Sequence, residues 1–549
     1  MRSTRASVYN RLRRSNGSSA LALLLAFAAL WLAGCAASAN AHRDPDTLIV
    51  LELGDADTLS PLFSNNEYSA TYEGFVFDAL AQVGDDFKMI PDAATSWRST
   101  PDGLHWTVDM RHDLRFSDGV PLTSKDVVFT WQAALDPATG YPYRGQFLYV
   151  KKVTAEGPYR VHFDLSNKNA LFVTNALNLY ILPEHILGKI PHGHIRASDF
   201  GEHPVGSGPY VLASWKHDEN LTFVPNPHWF GGTPKVKRMI FQIVLNDQAR
   251  TDAMEQGVAD VDDSIPGSAY QIIQGDDKSG RTNLLLLHIP DLYAIFIQVN
   301  FRTPGLGDLA VRRAMMYGWD RKDMVDGYYR GDQELATGLT PAGLRRWYDP
   351  NVMLYPYDPQ RARALLDAAG YRLGPDGVRR KGKLRLSYIL DLAGNGGAGQ
   401  DFGAEFQADM KAIGIAISIR TLDYATWVEH TNAGNYQLAY GGWGGTPDPD
   451  EQTFLACDQF IPNGNNMSFY CNPKMDRILS EALQTFDFDK RRALYDRMQE
   501  IYAEDVPQLY LYYDYYRAAV SRRVHFDLKT ALPGQYLWRD VVNWQLGPL

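Results

Sequence analysis

Two stretches of this sequence carry side chains suited to holding another molecule. In Tyr440-Gly441-Gly442-Trp443-Gly444-Gly445-Thr446-Pro447-Asp448, the indole of Trp443 offers a rigid apolar face, and the flanking glycines let a ligand approach the backbone. Tyr440 adds a second ring, Thr446 a hydroxyl and Asp448 a carboxylate. In Leu59-Ser60-Pro61-Leu62-Phe63-Ser64-Asn65-Asn66-Glu67-Tyr68, Asn66 and Glu67 can accept hydrogen bonds from a ligand donor. Asn300, just past the apolar run Phe296-Ile297-Gln298-Val299, adds an amide. These groups recognise; none is an activated nucleophile. The chemistry expected is contact with a ligand by aromatic packing and a few polar groups, with no catalytic residue, no cofactor and no metal.

Patterns that point to a reaction are thin. The pairs Asp448/Asp450 and Asp262/Asp263 could serve as the acid and base of an exported hydrolase, the alternative from another functional class. An acidic chain also clusters carboxylates at its surface, and neither G-x-S-x-G nor H-E-x-x-H occurs. Gly394, Gly396 and Gly399 match G-x-G-x-x-G, and Asp423 follows 24 residues after Gly399, as in a dinucleotide fingerprint. That loop lies late in an exported chain, and its glycines are read as making room for a ligand. Its free amides ahead of a helix suit an anion. His185, His192, His194 and His203 cluster, and His192-Gly193-His194 could place two imidazoles on a metal. A polar loop is the simpler reading.

The chain has 549 residues, 45% hydrophobic and 21% charged, with a formal net charge of −10. That suits about three globular domains and argues against a nucleic-acid partner. Ahead of Cys35 stand Arg2, Arg5, Arg11, Arg13 and Arg14, with no acidic residue. Residues 20–33 are uncharged and mostly apolar, shorter than the roughly 20 residues of a spanning helix. A basic stretch followed by a short apolar run reads as a secretory signal. Leu32-Ala33-Gly34-Cys35 resembles the lipobox of bacterial lipoproteins, in which the new N-terminal Cys carries lipid. The expectation is a lipoprotein signal peptide over 1–34, lipidation of Cys35 and a tether over 35–44. The rest is expected to be a soluble exported domain, anchored by lipid in the periplasm or at the cell surface. Cys457 and Cys471 remain; an oxidising compartment pairs them as a disulfide around Pro462-Asn463-Gly464-Asn465-Asn466. Two thiolates are too few for a Cys-rich zinc site.

The elements that must position these residues alternate strand and helix, which favours α/β architecture. Trp106, Val108 and Met110, and likewise Val161, Phe163 and Leu165, recur at period two. Runs 296–301 and 509–513 read as buried strands. Ser124 is expected to cap a helix bearing Val127, Val128, Trp131, Ala134 and Leu135. Asp358-Pro359 is a cap and first-turn pair, and Pro507 ends a helix carrying Leu494, Met498 and Ile501.

Six segments stand in order along the chain. They are Ala94-Thr95-Ser96-Trp97 with Leu114-Arg115-Phe116-Ser117-Asp118-Gly119; Pro204-Val205-Gly206-Ser207-Gly208-Pro209-Tyr210 with Asn226-Pro227-His228-Trp229-Phe230; Val311-Arg312-Arg313-Ala314 with Asp320-Arg321; the helix end 362–371; Ala439-Tyr440-Gly441-Gly442-Trp443 with Asp448-Pro449-Asp450; and Asn472-Pro473-Lys474-Met475-Asp476-Arg477. Together they resemble the extracytoplasmic solute-binding proteins of family 5, the peptide- and nickel-type receptors of ABC importers.

The resemblance implies an α/β fold: a two-lobed, periplasmic-binding-protein-like clamp of type II with an additional third domain. Lobe one would hold 45–84, 203–288 and 510–549, the extra domain 85–202, and lobe two 289–509. Hinges would fall near 289–300 and 506–512, where two crossings suit closure around a ligand. It also implies a monomeric receptor that delivers solute to the membrane subunits of an ABC permease and catalyses nothing. Peptides are the expected solute; a metal chelate or a sugar is the alternative. The loop 59–68 would line the cleft. In dipeptide- and oligopeptide-binding relatives an Asp three residues after the Trp pairs with the peptide amino group. Thr446 stands there, and Asp448 is the expected substitute. Dipeptide receptors also use an Arg ahead of the helix holding Gln407-Ala408-Asp409; the register gives Ala393, and no Arg is nearby. The ligand is therefore expected to be a longer peptide, a capped one, or another solute. Arg312 and Arg313 are weaker contact candidates.

Overall fold

The computed structural model describes residues 44–278, 282–330, 333–394, 398–461 and 464–548. The expected signal peptide, Cys35 and all of the expected tether but Asp44 lie outside them, as do Asn395, Gly396, Gly397, Pro462 and Asn463.

The chain enters through β1 (Thr47–Glu52), and the loop 53–66 leads into α1 (Glu67–Val76). An antiparallel unit follows, made of β2 (Ala94–Ser99), β3 (His105–Met110), β4 (Val150–Ala155) and β5 (Arg160–Leu165), in the order β2-β3-β5-β4. Its period-two pattern works as written: Trp106, Val108, Met110, Val161, Phe163 and Leu165 are all buried. α2 (Ser124–Leu135) packs on this unit. Its cap is Thr123, one residue ahead of the expected Ser124, because Asp126 completes a capping box with Thr123.

Three strands bring the chain back: β6 (Tyr210–Lys216), β7 (Asn220–Pro225) and β8 (Arg238–Ile243), then the short β9 (Val261–Asp262). The loop before β6 needs its glycines. A Cβ on Gly206 would stand 2.0 Å from the Val76 carbonyl oxygen, where the loop crosses the end of α1.

β10 (Leu284–Val299) then carries the chain across the molecule. Beyond it come α3 (Leu309–Gly318), α4 (Pro359–Ala368), β11 (Ser387–Ala393), α5 (Ala398–Ala412), β12 (Ala416–Leu422), α6 (Tyr424–Asn432) and β13 (Leu438–Gly444). α7 (Pro473–Leu483) and α8 (Phe488–Asp505) precede the return strand β14 (Gln508–Ser521). Asp358 caps α4 as its Asp-Pro pair requires, its carboxylate accepting from Arg361 N at 2.8 Å. Asp320 caps a helix, and Arg321 donates to the carbonyls of Ala336, Tyr355 and Tyr510.

One large sheet threads the protein in the order β12-β11-β13-β10-β14-β9-β1-β8-β7-β6. β10 and β14 are its two long members. Leu284–Pro290 pairs with Ser521–Tyr515; the register then slips, and pairing resumes from Ala294 opposite Tyr513. Pro290 offers no N–H to the ladder, so a break there is natural. On one side of the slip the sheet packs with Leu48, Val50, Phe223, Phe241 and Val520 in one apolar core; on the other, Val299, Leu390, Leu438 and Tyr510 sit in a second. The protein is thus two lobes joined by two continuous strands. The unit β2–β5 shares the first core and also touches the second lobe: Ala170 N donates to Leu483 O at 2.6 Å, and Trp106 lies edge-on to Phe486.

Candidate functional site

β13 is the inner wall of the site. It lies between β11, to which it is parallel, and β10, to which it is antiparallel, with Trp443 opposite Ala294 and Gly444 opposite Tyr293. Leu438 and Ala439 enter the core, whereas Trp443 remains 41% exposed. A cavity of about 840 Å³ opens on this strand, lined by the rings of Tyr293, Tyr424, Trp427, Tyr440, Trp443 and Phe454. Its polar groups are neutral, among them Gln298, Thr431, Asn465 and Gln508, and no charged side chain lines it among the described residues. Phe454 braces Trp443 edge-on at 4.5 Å. The glycines of β13 are needed by these rings: a Cβ on Gly442 would stand 2.4 Å from Tyr293, and one on Gly441 3.1 Å from Trp427.

The sulfurs of Cys457 and Cys471 lie 2.09 Å apart, at bonding distance. The loop they close carries Asn465 and Met467 to the cavity rim. Gln298 and Gln508, facing each other across the long strands, are joined at 2.7 Å.

A second cavity of about 560 Å³ adjoins at Gly444 and lies between the lobes. Asn65, Asn66, Glu67 and Ala70 at the start of α1 form one side of it, Asp291 and Leu292 at the register slip another, and Gly534–Tyr536 a third. The Gly445 amide donates to the Leu292 carbonyl at 2.6 Å, which ties the end of β13 to the slip. This cavity is acidic, and no Lys, Arg or His lines it among the described residues. Burial lifts the Asp291 carboxyl to about 6, aided by the charges of Asp514 and Glu67. Behind it, at the carboxyl ends of β1 and β9, burial raises Glu52 and lifts Asp263 to about 7, the latter aided by Asp262. Ligands gather beyond strand ends of this kind in open α/β sheets.

The expected contact residues divide sharply. Tyr440 and Trp443 line the aromatic cavity, and Asn66 and Glu67 line the acidic one. The amide of Asn66 is occupied: it caps α1 by accepting from Ser69 N at 2.8 Å and donates to Asp55 O at 3.1 Å. Glu67 is exposed. Asn300 lies in neither lining. It is buried and donates to the carbonyls of Gly434 and Tyr436 while accepting from Arg302 N. Thr446 donates to the Asp448 carbonyl at 2.7 Å. Asp448 is not a substitute anchor in this geometry. Its carboxylate is buried against both terminal nitrogens of Arg491 and the hydroxyl of Tyr495. Arg312 is likewise buried, on the carbonyls of Leu306, Asp505 and Val506, and Arg313 holds that of Glu504.

The rival motifs resolve into structure. Asp423 caps α6 with both oxygens on Thr426, while Gly399 flanks the aromatic cavity. His185 pairs with Asp118 and His192 with Asp136. Among the described residues no group of three His, Cys, Asp or Glu could hold a metal, and no helix is long and apolar enough to cross a membrane. Asp262 meets Arg250 at 3.4 Å.

Sequence reasoning missed Tyr293, Trp427, Phe454, Asp291 and the two glutamines. Two signals were present: Tyr424 and Trp427 are ring residues one turn apart on a polar helix, and Gln298 interrupts an apolar run.

Residues 88–460 match the model of the bacterial extracellular solute-binding proteins, family 5, middle. The chain is 25% identical to the oligopeptide-binding protein AppA of Bacillus subtilis, covering 91% of this chain and 94% of that one. It is 30% identical to protein XP55 of Streptomyces lividans, covering 84% and 82%. The solved structure of Bacillus subtilis AppA in complex with a nonapeptide shares the fold, with a TM-score of 0.77 at 24% identity, over 91% of this chain and 99% of that one.

Proposed function

The chain belongs to family 5 of the bacterial extracellular solute-binding proteins, and from that premise we propose that it is a peptide receptor of an ABC importer. It binds solute and catalyses nothing. A peptide enters between the lobes, and closure about the slip in β10 and β14 encloses it. Tyr293, Trp427, Tyr440 and Trp443 take up an apolar side chain. Glu67 and Asp291 receive the ammonium end. Lipid on Cys35 holds the receptor at the outer face of a membrane, as a monomer, where it hands its peptide to the permease subunits. Lobe one (45–84, 203–288, 510–549), the extra domain (85–202) and lobe two (289–509) are the moving parts.

The observation that carries this reading is the uncharged aromatic cavity on β13 meeting the acidic interlobe cavity at Gly444. The peptide-binding names of similar proteins support it. No cation lines either cavity among the described residues, so the carboxylate of a bound peptide extends past them, which favours peptides longer than two residues.

The test is calorimetric titration with di-, tetra- and nonapeptides, each free, N-acetylated and C-amidated. The longer free peptides are expected to bind, N-acetylation to weaken them at least tenfold, and C-amidation to change little. Absence of binding by every peptide would overturn the reading. Equal affinity for free and N-acetylated forms would remove the role of Glu67 and Asp291.

A further inference from the structure

A third cavity, of about 400 Å³, lies further along α1. It shares Ala70, Gln535 and Tyr536 with the acidic interlobe cavity. Its walls include three carboxylates, Asp78, Asp92 and Asp540, and the rings of Tyr180, Trp229 and Tyr536; Asp540 accepts from the Asn543 amide. Asp92 is held in place: it accepts from Ala79 N at 3.0 Å and from the Gln82 amide at 3.4 Å. Asp78 is different. It is 4% exposed, yet its Oδ2 accepts no hydrogen bond among the described residues. Arg539 also lines the space; its Nη2 is engaged by Asp85 and the Thr530 carbonyl, and its Nε has no hydrogen-bond partner among the described residues.

A buried carboxylate oxygen without a partner is costly, and native proteins rarely leave one so. Burial, and then the charge of Asp92, push the Asp78 carboxyl well upward, opposed by the nearby Ser207 hydroxyl and Trp229 indole and by the charge of Arg111. A cation entering the cavity removes that cost. The chemistry of the walls selects which cation. Hard metal ions call for about six or more convergent oxygen ligands, and among the described residues no group of three His, Cys, Asp or Glu is placed to hold one. Carboxylates set among ring faces suit an organic cation, held by charge and by the faces together.

We propose that this cavity binds an ammonium or guanidinium group against Asp78 and Asp92, as a subsite for the basic part of a ligand reaching past Ala70 and Tyr536 from the interlobe cavity. The proposal rests on the receptor reading above. It adds a preference for basic ligands and assigns it to residues outside the aromatic wall.

The experiment titrates n-butylguanidinium and its neutral isostere n-butylurea into the protein, and into the Asp78→Asn and Asp92→Asn variants, by calorimetry. A crystal structure with n-butylguanidinium accompanies it. The guanidinium is expected to bind at least tenfold more tightly than the urea, each variant to lose at least tenfold, and the cation to lie within hydrogen-bond distance of Asp78 Oδ2. Equal affinity for the urea, unchanged affinity in both variants, or a cavity holding only water or a metal ion would overturn the proposal. The crystal structure decides even where a variant fails to fold. A parallel titration uses tetrapeptides differing only by Lys against norleucine. Peptide binding with no preference for Lys and no response to Asp78→Asn removes this subsite and leaves the receptor reading standing. Binding of n-butylguanidinium at Asp78 with no peptide binding keeps the cation site and removes the peptide reading.

Discussion

Tyr440–Gly444 and 447–451 are neighbouring stretches of one chain with opposite surroundings. The first lays rings around open space without a charge in the lining. The second buries Asp448 and Glu451, with Asp450 half-buried between them, beside Arg491. Trp443 is 41% exposed and Asp448 only 5%. A carboxylate near a recognition motif in sequence is therefore no guide to the ligand's charge. Here the charge is taken up inside the fold, and the apolar surface a few residues earlier stays open to the cavity.

Separating the two roles by mutation sharpens this contrast or breaks it. The largest effect is expected from Asp448→Ala. It strands the Arg491 guanidinium in the interior, which costs about 3–5 kcal/mol, a large share of typical domain stability. Urea denaturation measures the loss, and the folded fraction should keep its peptide affinity. Lost affinity with stability intact would erase the division. Replacing Cys457 and Cys471 by Ser should cost roughly 3 kcal/mol for a loop of this length. It should also weaken binding several-fold, since Asn465 and Met467 stand on that loop; denaturation and calorimetry check the two effects separately. Trp443→Ala should remove about 2 kcal/mol of binding, near thirtyfold in Kd, while melting shifts little because the ring is half open.

The smallest effect concerns Asp450. Burial, and then the charge of Asp448, lift its carboxyl from the ordinary value to about 7. A folded-state value above the unfolded one means the folded protein holds that proton more tightly. The stability it contributes is complete below pH of about 4 and is lost as pH rises through about 7. Asp450→Asn should flatten the fall in melting temperature across that window and raise it slightly at neutral pH. A wild-type slope retained in the variant would assign the titration elsewhere.

Much of the architecture was legible because it rests on local pattern. Period-two burial in β3 and β5 and the Asp358-Pro359 cap need only near neighbours, and 296–301 and 509–513 declared themselves by continuous apolar content. The place of Tyr440 and Trp443 on a cavity wall was legible as rings beside glycines. The failures share one cause: the deciding partner is distant in sequence. Asp448 meets an arginine 43 residues away. Asn300 serves carbonyls more than 130 residues away. The acidic wall is assembled from Glu52, Glu67, Asp263 and Asp291, four segments that only the sheet topology brings together. The glycines of β13 were legible as necessary, but the occupants of the space they leave, Tyr293 and Trp427, were not.

The most direct measurement is native mass spectrometry of the solute retained by the wild-type protein, by Trp443→Ala and by Asp448→Asn after identical purification. The expected result is a population of peptides on the wild type, kept by folded Asp448→Asn and lost from Trp443→Ala. Peptides retained by Trp443→Ala and lost from folded Asp448→Asn would contradict the assignment of β13 as the recognition wall and of Asp448 as part of the scaffold.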